Sequence, residues 1–193
     1  MKLDKIIEEK IKEEVLKKLQ NGKPNWDIPH TLNAVEWMRC LIEGEGGNER
    51  ILIPAIYFHD TGYPELDENY NYDDLIESKK MHAIKGAEFT KNVLSQINYF
   101  SKEEVEEIVY LVKKHDEHDN LETHNRRLIF EADGLSMIDW EHVKPNFDQK
   151  NRTEFLNKYF ISERGLDRWH TITGKKYLKI LFKKAKEYNI NNP

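Results

Sequence analysis

The chain has 193 residues, of which 38% are hydrophobic and 34% charged, with a formal net charge of −5. That length supports one sizeable core and is short for two, so a single domain over residues 1–193 is expected, with densely charged outer helix faces. The basic residues are spread along the chain, which excludes the concentrated positive footprint of a nucleic-acid polymer binder, and the single cysteine, Cys40, excludes an intrachain disulfide. No run approaches the ~20 apolar residues of a membrane span and no apolar signal segment opens the chain, so a soluble, cytoplasmic protein without membrane partners is expected.

Helical periodicity begins at once. Leu3, Ile6, Ile7, Ile11, Val15 and Leu19 recur at helical spacing among Lys and Glu, predicting an amphipathic helix over 3–19 that Gly22 and Pro24 stop. A second helix is predicted from Pro29, whose missing N–H costs nothing in a first turn, to about Gly44, with His30, Ala34, Trp37, Met38 and Leu41 on its inward row. The run from Ile51 to Phe58 is apolar on nearly every side, as a central buried helix would be, with a buried strand as the competing reading. Pro54 there implies either a late start at Ile53 or a kink. This helix should end at His59-Asp60, where Gly62 stands in place for a left-handed cap and the negative end of the helix dipole favours a cation.

Residues 64–78 are acidic and tyrosine-rich without a clear period, and predict a loop over the mouth of a site. A fourth helix is predicted over 79–97, with His82, Gly86, Phe89 and Val93 in line. Ser101 and Glu104 form a capping box opening a fifth, where Ile108, Val112 and His115 share a face. A sixth, over 125–140, aligns Ile129, Ala132, Asp133 and Ser136. The stretch 141–171 is irregular, and a final helix is predicted over 172–189.

This pattern sets ionisable groups on apolar stripes. A buried ionised carboxylate stays charged only beside a cation or strong donors, and a buried imidazole must satisfy two ring nitrogens. Arg126 and Arg127 precede Asp133 on its helix but project toward other faces. One divalent metal answers both needs, since it takes neutral imidazole and carboxylate together. Taken singly, a core histidine is more often a satisfied core residue than a ligand. Four of them on different helices, His30, His59, His82 and His115, accompanied by inward Asp60 and Asp133, point jointly to a one- or two-metal hydrolytic centre. The His-Asp dipeptide occurs three times, at 59–60, 115–116 and 118–119, and only the first closes an apolar run. His118 and His124 lie in a polar segment from which they could reach the mouth of the site, against the plainer reading of loop histidines, and His142 and His170 carry no assigned role.

The segments His30 to Val35, Ala55 to Gly62, Met81 to Ala87 and Phe130 to Asp133 together resemble the HD superfamily of metal-dependent phosphohydrolases, over roughly residues 26–140. The resemblance implies an all-α, HD-domain-like helical bundle with a C-terminal helical extension over 141–193. It implies one metal held by His30, His59, Asp60 and Asp133, and His82 and His115 resemble the subset of the family that holds a second metal, with Asp60 bridging the two. Many members carry Arg where this chain has Asn33, and some follow the His-Asp pair with Gly-Lys where this chain has Gly62-Tyr63. Lys85, Lys114, Arg126, Arg164 and Arg168 are the substitute candidates for substrate binding, each against the plainer reading of a solvated surface charge.

The expected reaction is hydrolysis of a phosphate ester or anhydride of a small molecule, a nucleotide among the candidates. Asp60 is its central catalytic residue, and water is the nucleophile, activated by one or two divalent ions drawn from Fe, Mn, Co, Ni, Zn or Mg. Two alternatives come from other classes: a di-iron oxygenase on the same architecture, and a non-catalytic metal-binding regulatory module. Trp140, Phe147, Tyr159, Phe160 and Trp169 either cover the core, the plainer reading, or face a second copy in a homo-oligomer.

Overall fold

The computed structural model describes residues 1–20, 22–23, 25–63, 72–145 and 147–192, with the backbone alone for 72–80. All regular structure among them is helical, as expected. The helices are α1 (Lys5–Leu19), α2 (Asp27–Glu45), α3 (Glu49–Phe58), α4 (Tyr72–Ile97), α5 (Lys102–Lys114), α6 (His124–Ile138), α7 (Gln149–Glu154) and α8 (Ile172–Asn191). Among the described residues no helix is long and apolar enough to cross a membrane.

Helix α3 is the axis of the assembly. Every residue from Ile51 to Phe58 is buried, and α1, α2, α5 and α6 all pack on it. Full burial of each large aliphatic or aromatic side chain contributes about 1.5–3 kcal/mol, so this run supplies much of the drive for collapse. The apolar run is therefore a helix and not a strand. Asn48 caps it, its side chain accepting from Arg50 N, and Pro54 lies inside the helix instead of opening it. Around this axis α2 packs on α6, α4 on α5, and α8 on α6 and α2. The helix starts are set locally: Asp4, Ser101, Thr123 and Thr171 each accept a backbone N–H of the following first turn. The capping box at Ser101 and Glu104 is present in full.

Three expectations are corrected. Helix α2 starts at Asp27, two residues early, with Pro29 still in the first turn, where its lack of an N–H costs no helical bond. Helix α4 starts at Tyr72, so 72–78 is helical backbone where a loop was expected, and the rest of that expected loop, 64–71, lies outside the described residues. Two acids, Asp73 and Asp74, follow its first residue, where the helix dipole favours negative charge. The third concerns Gly62, which does not adopt a positive φ. Its need is steric: a Cβ there would meet His82 O at 1.8 Å and Gly86 N at 2.3 Å. The two glycines let the end of α3 touch the backbone of α4, which brings His82 beside Asp60.

The segment after α6 is more ordered than its sequence suggests. Helix α7 continues directly into a π-helical stretch, Phe155–Glu163, with Arg164 N donating to Tyr159 O five residues back. A short 3-10 turn, Leu166–Arg168, follows. Trp140, Phe160 and Trp169 are buried in the main core, which bears out their reading as core cover. Glu131 ties this segment down. Fully buried on α6, its carboxylate accepts from His170 N (2.6 Å), Thr171 N (2.9 Å) and the Thr171 hydroxyl at the start of α8. Replacing Glu131 with Ala leaves those three donors unmet, and a loss of about 3 kcal/mol is expected from the denaturation midpoint, with a smaller loss for Glu131→Gln.

Candidate metal centre

The two histidines that end helices share one local device. His59 is the C-cap of α3 and His115 the C-cap of α5. Each ring donates Nδ1–H to the carbonyl three residues back, His59 to Ile56 O and His115 to Val112 O, both at 2.7 Å. That bond assigns the proton to Nδ1 and turns the Nε2 lone pair inward. The other two histidines arrive by packing. Ser136 donates its hydroxyl to His30 O (2.9 Å), pinning α2 against the α6 face that carries Asp133. His82 reaches the centre through the Gly62 and Gly86 contact, and its ring stacks flat on Tyr63 at 4.3 Å.

The six residues picked out by sequence therefore meet, in two adjoining groups: His30, His59 and Asp133, and Asp60, His82 and His115. In the first, His30 Nε2 lies 3.2 Å from His59 Nε2 and 3.1 Å from Asp133 Oδ1. In the second, His82 Nε2 and His115 Nε2 are 3.1 Å apart. Asp60 stands between them. Its Oδ2 is 3.3 Å from His59 Nε2 and 3.6 Å from His30 Nε2, while its Oδ1 is 3.5 Å from His115 Nε2 and 3.9 Å from His82 Nε2.

The electrostatics of this cluster favour positive charge. Burial alone would lower the pKa of His59, but Asp60 and Asp133 beside it outweigh burial and hold it well above the ordinary imidazole range. His115 is raised for the same reason, with Asp116 and Asp60 overcoming burial. Burial would raise Asp60 and Asp133; the surrounding imidazoles, and Arg164 for Asp133, keep both well below the usual carboxylate range. Each close Nε2 pair, at 3.1–3.2 Å, can share only one proton as a hydrogen bond, and a set of four imidazoles with two carboxylates fits a divalent metal in chemistry as well as geometry.

Other residues were missed in the sequence. Asp116 lies at the edge of the second group, its Oδ2 3.5 Å from His82 Nε2 and its Oδ1 3.9 Å from His115 Nε2. It belongs to the second His-Asp dipeptide, which ends α5 as His59-Asp60 ends α3; the signal was the repeated pairing of a C-cap histidine with an aspartate. His118 is not a plain loop histidine, since it packs edge-on against Phe130 with Nε2 3.7 Å from Asp116 Oδ1. Lys23 Nζ sits over the Tyr63 ring at 4.8 Å.

The five candidate substrate-binding bases are placed less favourably. Arg126 is buried, its Nη2 donating to Lys114 O (2.9 Å) and Glu117 O (2.6 Å), so it is corrected from substrate ligand to a residue that fixes the end of α5. Arg164 is buried against Asp133, so it too is corrected from substrate ligand to protein partner. Lys114 pairs with Glu117 at 2.5 Å, and Lys85 is an exposed residue of α4. Arg168 donates to Asp119 at 2.6 Å and, with Asp116 and His118, lines an open cleft of about 490 Å³.

Residues 28–138 match the family model described as HD domain. The chain belongs to the HD domain family. This places it in the superfamily of metal-dependent phosphohydrolases and agrees with the two groups able to hold metal. No curated protein and no solved structure matches the chain. The HD domain match ends at Ile138, so Arg164 reaches the centre from beyond it.

Chelator-treated protein is expected to gain thermal stability on addition of Mn²⁺, Co²⁺ or Zn²⁺, by about 2.7 kcal/mol at ~100 times Kd, and His59→Ala to lose most of that gain. Calorimetry at several pH values checks it. Apparent affinity should fall as pH is lowered, because protons compete for the same Nε2 atoms.

Proposed function

We propose that this HD domain protein hydrolyses a phosphate ester or anhydride of a small molecule at a two-metal centre held by His30, His59, Asp60 and Asp133 on one side and Asp60, His82 and His115 on the other. One observation carries the reading: the two carboxylate oxygens of Asp60 face different histidine pairs. A lone metal has no use for that division, whereas a pair requires a group between its members. When bound, such a pair activates water at neutral pH and offsets the charge that develops on phosphoryl oxygens.

The chain's own residues orient and exclude. Nδ1 bonds from His59 and His115 to their helix carbonyls hold both rings against rotation. Tyr63, whose phenol is pushed upward in pKa by burial and by Asp60 and Asp116, stays neutral and covers the His82 ring. On this reading Lys23 replaces the missing lysine of the His-Asp-x-Gly-Lys pattern as the cation meeting a substrate phosphate, since it rests on Tyr63 at that position. Arg168 lines the cleft beyond. His118, beside Asp116 at the edge of the second group, is the side chain placed to serve the leaving oxygen.

The imidazole-rich set also favours iron, which sustains the oxygenase as a second reading. A panel of nucleotides, dinucleoside polyphosphates and simple phosphoesters, assayed with Mn²⁺, Fe²⁺, Co²⁺ or Mg²⁺, is expected to yield turnover that Asp60→Ala abolishes. Silence across the panel in metal-loaded protein, together with O₂ consumption by the iron form, would replace hydrolysis with oxygenation. His118→Gln is expected to lower kcat by about 10²-fold at unchanged metal content.

A further inference from the structure

We propose that Arg164 is a positioning residue that restricts Asp133 to a single oxygen toward the metal, so that a segment outside the HD domain match decides how many donors the first group presents. The inference rests on the metal-centre reading above and goes beyond it. Asp133 Oδ1 faces His30 Nε2 at 3.1 Å and His59 Nε2 at 3.6 Å, while Oδ2 is taken by Arg164 Nη1 at 3.0 Å. A carboxylate free of that partner could turn both oxygens inward.

Everything around the guanidinium fixes its place. Arg164 is fully buried, its Nη2 donates to Phe130 O, its Nη1 also reaches Met137 Sδ at 3.5 Å, and its plane lies 4.3 Å over the Phe130 ring. Room for it exists because residue 134 is glycine: a Cβ there would meet Arg164 Nε at 2.7 Å and Trp169 Cζ2 at 3.0 Å. The π-helical stretch that ends at Glu163 delivers Arg164 to this spot. Stability alone gives a weak reason for such an arrangement. A buried ion pair is commonly matched or bettered by apolar residues of similar volume, and here Nε finds no hydrogen-bond partner among the described residues. What an apolar replacement could not do is hold Oδ2 away from the histidines.

The opposing effects make the test decisive. Removing a nearby cation relieves repulsion of the metal, so affinity should hold or rise in Arg164→Met. If Arg164 served only to brace the ligand, affinity should fall instead, in the 10–100-fold range typical of supporting partners. Full-length protein loaded with stoichiometric Co²⁺ is therefore compared by visible absorption and by competition titration. In Arg164→Met the d–d band per Co²⁺ is expected to weaken, as it does when cobalt gains a donor, with affinity undiminished; Arg164→Lys is expected to restore the wild-type band. An unchanged band, or a 10-fold or greater loss of Co²⁺ affinity, overturns the proposal. Should Arg164→Met not fold, Gly134→Ala displaces the guanidinium while keeping its charge, and the same two readings apply. Failure of the wild-type chain to take up Co²⁺ would overturn the metal centre itself, a result distinct from wild-type uptake with an Arg164→Met band that does not move.

Discussion

The structure depends on one constraint: carboxylates and imidazoles have been carried into a core that would otherwise expel them. Asp60, Asp133 and four histidines lie among the aliphatic side chains of α2, α3, α5 and α6, where an unpaired charge would cost several kcal/mol. They remain because each is the other's counter-charge and because, in two of the histidines, the second ring nitrogen is satisfied elsewhere. The Nδ1 atoms of His59 and His115 are satisfied inside their own helices, a purely local matter of where those helices stop. Convergence of the Nε2 atoms is tertiary. It depends on the α2 and α6 contact pinned by Ser136 and on the glycine pair that lets α4 reach the end of α3.

That division between local and tertiary explains what could be read from the chain. Helices whose apolar face repeats every three to four residues were legible, and with them the inward placement of His30, His82 and Asp133. The apolar run ending at His59-Asp60 was legible as a buried helix end. Helix α4 was cut short because the residues after Tyr72 are polar and lack a period, so its first two turns carried no stripe to detect. Asp116 went unread because α5 ends in Lys113-Lys114 and not in an apolar run, so the His-Asp pair closing it looked like part of a polar turn. Gly62 was assigned a backbone role when its real demand comes from α4, some 20 residues away, and no local pattern announces a contact of that kind.

Two buried arginines show the same limit from another side. In sequence, Arg126 and Arg164 are cations in charged surroundings, and a search for phosphate anchors selects both. In the fold each is enclosed and holds main-chain carbonyls beside a ligand: Arg126 those of Lys114 and Glu117, flanking His115, and Arg164 that of Phe130, three residues before Asp133. A guanidinium suits such a post because its planar fork bonds several acceptors at once, which an ammonium cannot do with the same geometry. The positive charge of Arg164 also offsets the negative charge of the cluster and helps hold Asp133 well below the usual carboxylate range.

Asn33 shows how the site's surroundings have diverged from the family pattern. Where many HD proteins carry an arginine, this side chain donates to Ser136 Oγ at 3.4 Å and Asp139 Oδ2 at 3.3 Å, and Trp37 Nε1 donates to the same carboxylate at 3.0 Å. Position 33 has become part of the α2 to α6 lock, the contact that sets His30 against Asp133. An arginine in its place would have to break that lock to reach a substrate. Two further cations near the centre, Lys23 before α2 and Arg168 after the π-helical stretch, lie beyond residues 28–138. The matched core carries the residues able to hold metal, and the flanking segments reach them, through Arg164 on Asp133 and through Lys23 on Tyr63.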